Sequence, residues 1–455
     1  MITAIVISLM LGSFSPDSSD ALTLEYCYSR LESHYPISKK VELQKEITSL
    51  NKKVAQTGYY PQINVGAKAT YQSEVTEFQV AAGGGQTLGP DLSKDHYEFS
   101  LDVQQPIYNG GSVGIKKKLE EAKGDREIQS IRVQMHQLKG QVNSVYFGIL
   151  LAQNQSEIIQ TVSETLDSQI RNMRSQVDNG MALPSQLYIL EAELIKIRQN
   201  LIDVETNIRA GYDILAQLID EELSYSRILA VPKADPLVSD QEGLARLRPE
   251  YDLFESNRRY LNYQKELVST GLKPSLNAFG TLAYGRPGFN VFENDLHDYY
   301  ILGLKLNWNF WTARNAEARQ EVLNLQVKSI SEEERAFERQ LRASLGKIEE
   351  EISSLERKIQ QDEEILDLRN RIVETVASQL ENGTATATEY VAELNKKTQA
   401  ELSMKRHQTR LSQARIDYIT VLGAGEWESG GKGAGFRPLP HSSFLAVIRG
   451  GCSDS

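Results

Sequence analysis

Residues 101–182 recur at 304–385 without insertion, and this duplication limits the possible folds more than any other feature of the chain. Shifted by 203 positions, Leu101 falls on Leu304, Val103 on Leu306, Leu138 on Leu341, Val142 on Leu345, Val145 on Ile348 and Ile149 on Ile352. Farther along, Gln176, Asn179, Gly180 and Ala182 fall on Gln379, Asn382, Gly383 and Ala385. Each copy reads as a β-strand, a very long helix and a tight reversal. A repeat of that length is a duplicated half-molecule, not a short solenoid unit.

The period of the apolar residues sets the elements. Leu43, Ile47, Leu50 and Val54 predict one amphipathic helix within 22–57, ending at Gly58. Strict alternation follows: Ile63, Val65, Ala67, Ala69 and Tyr71 point one way, with Gln62, Asn64, Gly66, Lys68, Thr70 and Gln72 opposite. After a Gly-rich loop over 74–94, Tyr97, Phe99, Leu101 and Val103 alternate with Glu98, Ser100, Asp102 and Gln104. Beyond Asn109-Gly110-Gly111 the period changes. Ile128, Ile131, Met135, Leu138, Val142, Val145 and Ile149 form a heptad seam. A helix over 114–178 would be roughly 97 Å long. Asn179-Gly180 then signals a left-handed cap. A second helix returns through Leu187, Leu190, Leu194, Ile197 and Leu201 to about residue 222.

The pattern then restarts. Pro36, Gly58 and Pro61 recur as Pro249, Gly271 and Pro274, now at an offset of 213. The change of offset places about ten extra residues in the first strand-to-strand loop, where length differences are tolerated. The second strand pair is expected over 276–284 and 300–310, and the second long helix ends at Asn382-Gly383. The domain reading is therefore a signal peptide over 1–21, a first repeat over 22–235, a second over 236–424, and a disordered or aberrant tail over 425–455. The leader departs from the standard form, since no Lys or Arg precedes its apolar stretch.

Composition narrows the class. Mean hydropathy is −0.40, and no apolar run reaches the roughly 18 residues of a spanning helix. Transmembrane strands, which alternate, leave no such signal. A net charge of −11 without a basic run argues against nucleic acid as a partner. The two cysteines, Cys27 and Cys452, form no CxxC, so neither a disulfide framework nor a zinc site is expected. Glu25 and Tyr26 stand where a lipidation signal wants small residues, and Cys27 reads as a semi-buried helix residue. The six His are scattered, no phosphate-binding Gly loop opens a helix, and the Glu runs read as solvated helix faces. No catalytic residue, metal site or cofactor is expected.

Four long two-faced strands and helices near 100 Å decide the architecture. Lys68, Glu98, Asp102 and Lys305 make one face too charged for a protein core, so they are read as lining a water-filled lumen while the apolar face meets lipid. Four strands cannot close a barrel, and an open edge in lipid costs several kcal/mol per unpaired group. The chain must oligomerise cyclically, and three copies give twelve strands. The fold class is an α+β membrane protein, mostly long helical hairpins with four transmembrane strands per chain.

The chain resembles the TolC-like outer-membrane efflux family over about residues 22–422. The resemblance is carried by Leu22-Thr23-Leu24-Glu25, by Gly58 with Pro61 and Ile63, by Gln105-Pro106-Ile107-Tyr108-Asn109-Gly110-Gly111, and by Asn179-Gly180 and Asn382-Gly383. It implies a homotrimer with a twelve-stranded barrel in the outer-membrane lipid and a periplasmic helical tunnel. It also implies a periplasmic adaptor and an inner-membrane pump as partners, in efflux or type I secretion. The adaptor would dock at the tips, at Asn179, Gly180, Ala182, Asn382, Gly383 and Ala385. The family's gate position six residues past the tip Gly is Gln186 in the first copy and Glu389 in the second; Glu393 stands one residue from a further acidic position. Ala385 replaces a basic residue often found there, so the lock must differ. The rival reading is a soluble or surface coiled-coil scaffold or adhesin.

Overall fold

The computed structural model describes residues 21–75, 80–82, 86–88, 93–232, 247–290, 293–309, 311 and 313–423. The leader, apart from Ala21, and the tail over 425–455 lie outside the described residues. The single helix expected over 22–57 is two helices, α1 (Leu24–His34) and α2 (Pro36–Gln56). Pro36 cannot donate to the α1 ladder, and it holds Tyr35 extended at φ −58° and ψ 135°. The break gives the two helices different surroundings. Leu24, Cys27 and Leu31 of α1 are buried, whereas Leu43, Ile47, Leu50 and Val54 of α2 are exposed.

Four strands follow the expected alternation, β1 (Gln62–Tyr71), β4 (Asp95–Tyr108), β5 (Ser275–Arg286) and β6 (His297–Asn307), and the stretch 74–94, expected as a loop, holds two more, β2 (Val80–Ala82) and β3 (Gln86–Leu88). The main sheet is antiparallel in the order β1-β4-β5-β6, so the two repeats meet at β4 and β5. The pair β2–β3 is a separate short hairpin in the longer loop. β6 ends at Asn307, and the expected end at residue 310 lies outside the described residues.

The long helices are α3 (Ser112–Asp178), α4 (Pro184–Ile219), α5 (Pro249–Thr270), α6 (Ala313–Glu381) and α7 (Ala387–Leu422). At 67 and 69 residues, α3 and α6 each run about 100 Å. α3 leaves the sheet through Gly110 and Gly111 at φ +66° and +84°. A Cβ on Gly110 would meet the Thr270 carbonyl at 2.8 Å, so glycine is required there on two counts. Gly124 lets α2 approach α3, since a Cβ there would fall on the Thr48 side chain.

Several buried clusters hold the hairpins together, and two of them are large. Near the tips, Leu166, Ile170, Leu190, Leu380, Tyr390 and Leu394 join all four hairpin helices. In mid-molecule, Cys27, Leu31, Val142, Tyr146, Tyr212 and Leu215 surround a parallel bridge between Leu22 and Leu229. The Tyr146 hydroxyl lies 2.7 Å from the carbonyl oxygens of both Leu22 and Ala230 and so ties that bridge to α3. Cys27 has no exposed surface, so burial is complete where the sequence predicts only partial cover.

Candidate functional site

The sheet has two chemically distinct faces. On one, Val65 pairs with Leu101, Leu101 with Leu282, and Leu282 with Tyr300. Its side chains are open to the surroundings: Val65 is 67% exposed, Leu302 76% and Leu304 68%. Aromatic residues frame this apolar band, with Tyr71, Tyr97, Tyr284 and Tyr300 toward the loops and Tyr60, Tyr108, Trp308 and Trp311 toward the helices. Such girdles mark the two interfaces of a membrane.

The other face collects all four residues expected at a lumen. Lys68 stands directly opposite Glu98, Asn64 opposite Asp102, and Asn277 opposite Lys305. The Thr281 hydroxyl donates to Asp102 at 2.6 Å and the Ser100 hydroxyl at 3.1 Å. The Tyr299 hydroxyl donates to Glu98 at 3.1 Å. Phe279 also stands on this polar face, opposite Gly303, although the sequence analysis did not single it out. Counting back from Thr281 in steps of two would have placed it there.

At the opposite end, the two tips repeat one another closely. Gly180 and Gly383 adopt φ +74° and +72°, and the side-chain amides of Asn179 and Asn382 donate to the Ser175 and Ser378 carbonyls, each at 2.8 Å. The amides of Met181 and Thr384 reach back to the Gln176 and Gln379 carbonyls at 2.8 and 2.9 Å. These bonds satisfy carbonyls that a helix end leaves open. Ala182 packs partly buried against the tip core, and Ala385 donates its amide to the Gln379 carbonyl at 3.1 Å.

The three gate candidates have separate contacts. Gln186 Oε1 accepts the Ala387 amide at 2.5 Å, while Gln176 Nε2 donates to the Glu381 carbonyl at 3.2 Å. Both bonds cross from the first hairpin to the second. Glu389 closes a capping box with Thr386 at the start of α7, and the Thr386 amide followed by its hydroxyl holds that carboxyl below its ordinary range. Glu393 pairs with Lys396 at 2.7 Å and Arg369 at 2.9 Å, and Lys396 above all lowers its pKa. Glu389 and Glu393 therefore act apart, one as a helix cap and the other as a brace between α6 and α7.

Among the described residues, no group of three or more His, Cys, Asp or Glu comes together to hold a metal ion. No described helix is long and apolar enough to cross a membrane. Residues 39–219 match the family described as outer membrane efflux protein. A search of curated proteins finds no match by sequence. Among solved structures, the CusC channel aligns at 12% identity and a TM-score of 0.68, covering 88% of this chain and 92% of that one. VceC of Vibrio cholerae aligns at 13% identity and 0.64, covering 88% and 96%. The open-state outer membrane channel MtrE of Neisseria gonorrhoeae aligns at 13% identity and 0.65, covering 88% and 89%.

Proposed function

We propose that the chain is a TolC-like outer-membrane efflux protein and that three copies form a passive duct serving a tripartite efflux or type I secretion assembly. One observation carries the reading. A sheet with an exposed apolar face and free edges at β1 and β6 sits on helices about 100 Å long. In lipid, each unpaired edge group costs several kcal/mol. Pairing β6 of one copy with β1 of the next removes every edge when three copies close twelve strands.

The helices support the same assembly. Tyr188, Ile195 and Ile202 on α4 recur at heptad spacing and are exposed in the single chain. Ile365, Leu368 and Ile372 on α6 form a second open seam at a similar distance from the tips. Side-by-side copies would bury both. A soluble scaffold would also use such seams, but it gives no reason for a lipid-matched band on the sheet.

Lys68, Glu98, Asp102 and Lys305 line the barrel lumen in this reading, and the helical hairpins form the periplasmic tunnel. The tip turns around Asn179-Gly180-Ala182 and Asn382-Gly383-Ala385 receive the periplasmic adaptor, which links the duct to an inner-membrane pump. Gln186, Glu389 and Glu393 hold the tips in the closed arrangement. Docking favours uncoiled helices, and cargo diffuses through without chemistry.

The test is membrane fractionation followed by gel electrophoresis of the detergent-extracted protein with and without heating. An outer-membrane band near three times the monomer mass that collapses on boiling is expected. A protein soluble without detergent would overturn the duct.

A further inference from the structure

The two ends of the main sheet carry opposite charge. The four stretches that join it to the helices, 53–64, 105–119, 267–277 and 303–316, hold seven Lys or Arg and no Asp or Glu, in a chain whose net charge is −11. At the loop end the balance reverses: among the described residues Glu74, Asp95, Glu293, Asp295 and Asp298 outnumber Lys94 and Arg286.

The apolar face also carries a hollow of about 470 Å³, with Leu101, Val103, Gln105, Ala278, Gly280 and Leu302 among its walls. It forms because β5 sets small residues between larger ones, with Gly280 standing between Val103 of β4 and Leu302 of β6. A Cβ on Gly280 would come 2.9 Å from Leu302 Cδ2, so glycine lets Leu302 lean over the floor. From Leu101 to Gln105 the hollow runs about 13 Å at roughly 3.3 Å per residue, close to the ~15 Å of hydrocarbon in one leaflet. Gln105 lies just short of Tyr108 in the helix-side girdle, so the hollow occupies the half of the band nearer the helices.

We propose that the outer wall binds an anionic phospholipid of the periplasmic leaflet, with an acyl chain in this hollow and the phosphate at Lys117 and Lys118. The proposal rests on the duct reading and names a lipid partner for its wall. A chain of contacts puts both parts on one side of the molecule. Gln105 Nε2 donates to the Tyr59 carbonyl at 2.9 Å. The Tyr59 hydroxyl lies 3.9 Å from where a Cβ on Gly114 would stand, in the first turn of α3. Lys117 and Lys118 follow Gly114 at i+3 and i+4 and share its face of the helix.

The lysines are free to take a phosphate. Lys118 is exposed, with its Nζ 5.8 Å from the Tyr263 ring. Lys117 is half-buried and donates to Gln56 Oε1 at 3.4 Å, and the exposed Lys53 stands one turn before Gln56 on α2. Among the described residues none of the three forms a salt bridge, and the next acids along α3, Glu120 and Glu121, are held by Asn51 and Lys52 at 3.3 and 3.1 Å. Lysines at a membrane surface attract anionic headgroups, while the hollow gains from burying a chain, so a single anionic lipid satisfies both parts. The hollow is centred on β4 and β5, which pair within the chain, so closure through β1 and β6 leaves it open.

The probes are dioleoyl phosphatidylglycerol and dioleoyl phosphatidylethanolamine, alike in chains and different in headgroup charge. Lipid retained by the full-length trimer after delipidation in detergent is counted by native mass spectrometry. The expected result is up to three phosphatidylglycerols per trimer, with phosphatidylethanolamine held at least about five-fold more weakly. Lys117→Gln combined with Lys118→Gln should bring the first lipid down to the level of the second, and Ala278→Leu, which fills the hollow, should weaken both. A normal heat-sensitive trimer band in the lysine variant separates loss of the site from loss of the fold. Equal retention of the two lipids, or retention untouched by either variant, would overturn the site. Displacement of bound phosphatidylglycerol by lipid A would assign the hollow to the other leaflet and overturn it too. Ion conductance of the same preparation in planar bilayers tests the duct itself. Pores without selective lipid retention would sink only the lipid site, and absence of pores in the unsubstituted protein would sink the duct.

Discussion

Gln186 Oε1 accepts the backbone amide of Ala387 at 2.5 Å, so a side chain from one hairpin tip caps the first helical residue of the other. The bond satisfies one of the amides that a helix N-terminus leaves open. It also couples two tips that are 201 residues apart in sequence.

Gln186→Ala should therefore loosen the start of α7 without unfolding the hairpins. The expected cost is about 1 kcal/mol, the usual scale for a lost cap. Hydrogen exchange at residues 387–390 should speed up by about five-fold, with little change at Asp178 or Asn179. A larger open fraction of the duct at rest should accompany it. Unchanged exchange would show that the cross-tip bond holds nothing.

His136 predicts an acid-labile mid-molecule. It is 7% exposed, and neither ring nitrogen finds a hydrogen-bond partner. Burial, followed by the nearby Arg248 and then Lys139, lowers its pKa to about 4, against the partial opposition of Glu250. In the unfolded chain, histidine titrates near its ordinary value of about 6.5. Between those values the unfolded state binds the extra proton, so stability is full above about pH 6.5 and falls as pH drops toward 4. The loss should reach up to about 3 kcal/mol. Asp417, whose pKa burial raises, works in the opposite sense and offsets part of this. Thermal unfolding at pH 7 and pH 5 should differ less in His136→Phe than in the unsubstituted protein.

The two sheet faces should respond differently to charge. Leu304→Arg places a cation on the lipid face, where the cost at mid-membrane is about 2–4 kcal/mol. Lys68→Gln changes only the polar face. Unheated gels should lose the trimer band in the first variant and keep it in the second. Equal loss in both would remove the distinction between the faces.

Cys27 should resist modification. Its side chain has no exposed surface, and burial pushes the thiol pKa up to about 12. Maleimide at pH 7.5 should label Cys27 only after denaturation. Incorporation of radiolabelled fatty acid at this position should be absent. Prompt labelling of the native protein would show that α1 detaches from the mid-molecule core.

Periodicity made the architecture legible because long helices and long strands average over many residues. Val142 and Ile149 of the first seam, and Leu345 and Ile352 of its copy, are buried as expected, whereas Met135, Leu138 and Val145 are only half-buried and Tyr146, Phe147 and Leu150 beside the seam complete the core. Lys68, Glu98 and Asp102 were readable as one face because strand alternation is strict there. The break at Pro36 was missed because the exposed seam of α2 keeps helical spacing on its own side of the turn. The contact between Gln186 and Ala387 could not be read from order alone. It depends on how two hairpins align in space, and neither residue carries a local signal for the other.

The β2–β3 hairpin breaks the internal symmetry on one side only. The duplication makes the two halves of each chain near-equivalents at the sheet and the helices, yet the first strand-to-strand connection is the longer of the two and carries its own short strand pair. A closed ring of three chains would thus carry long and short loops in alternation around its rim. Any particle or antibody arriving from outside the cell would meet a surface of threefold symmetry, although the wall beneath it approaches sixfold.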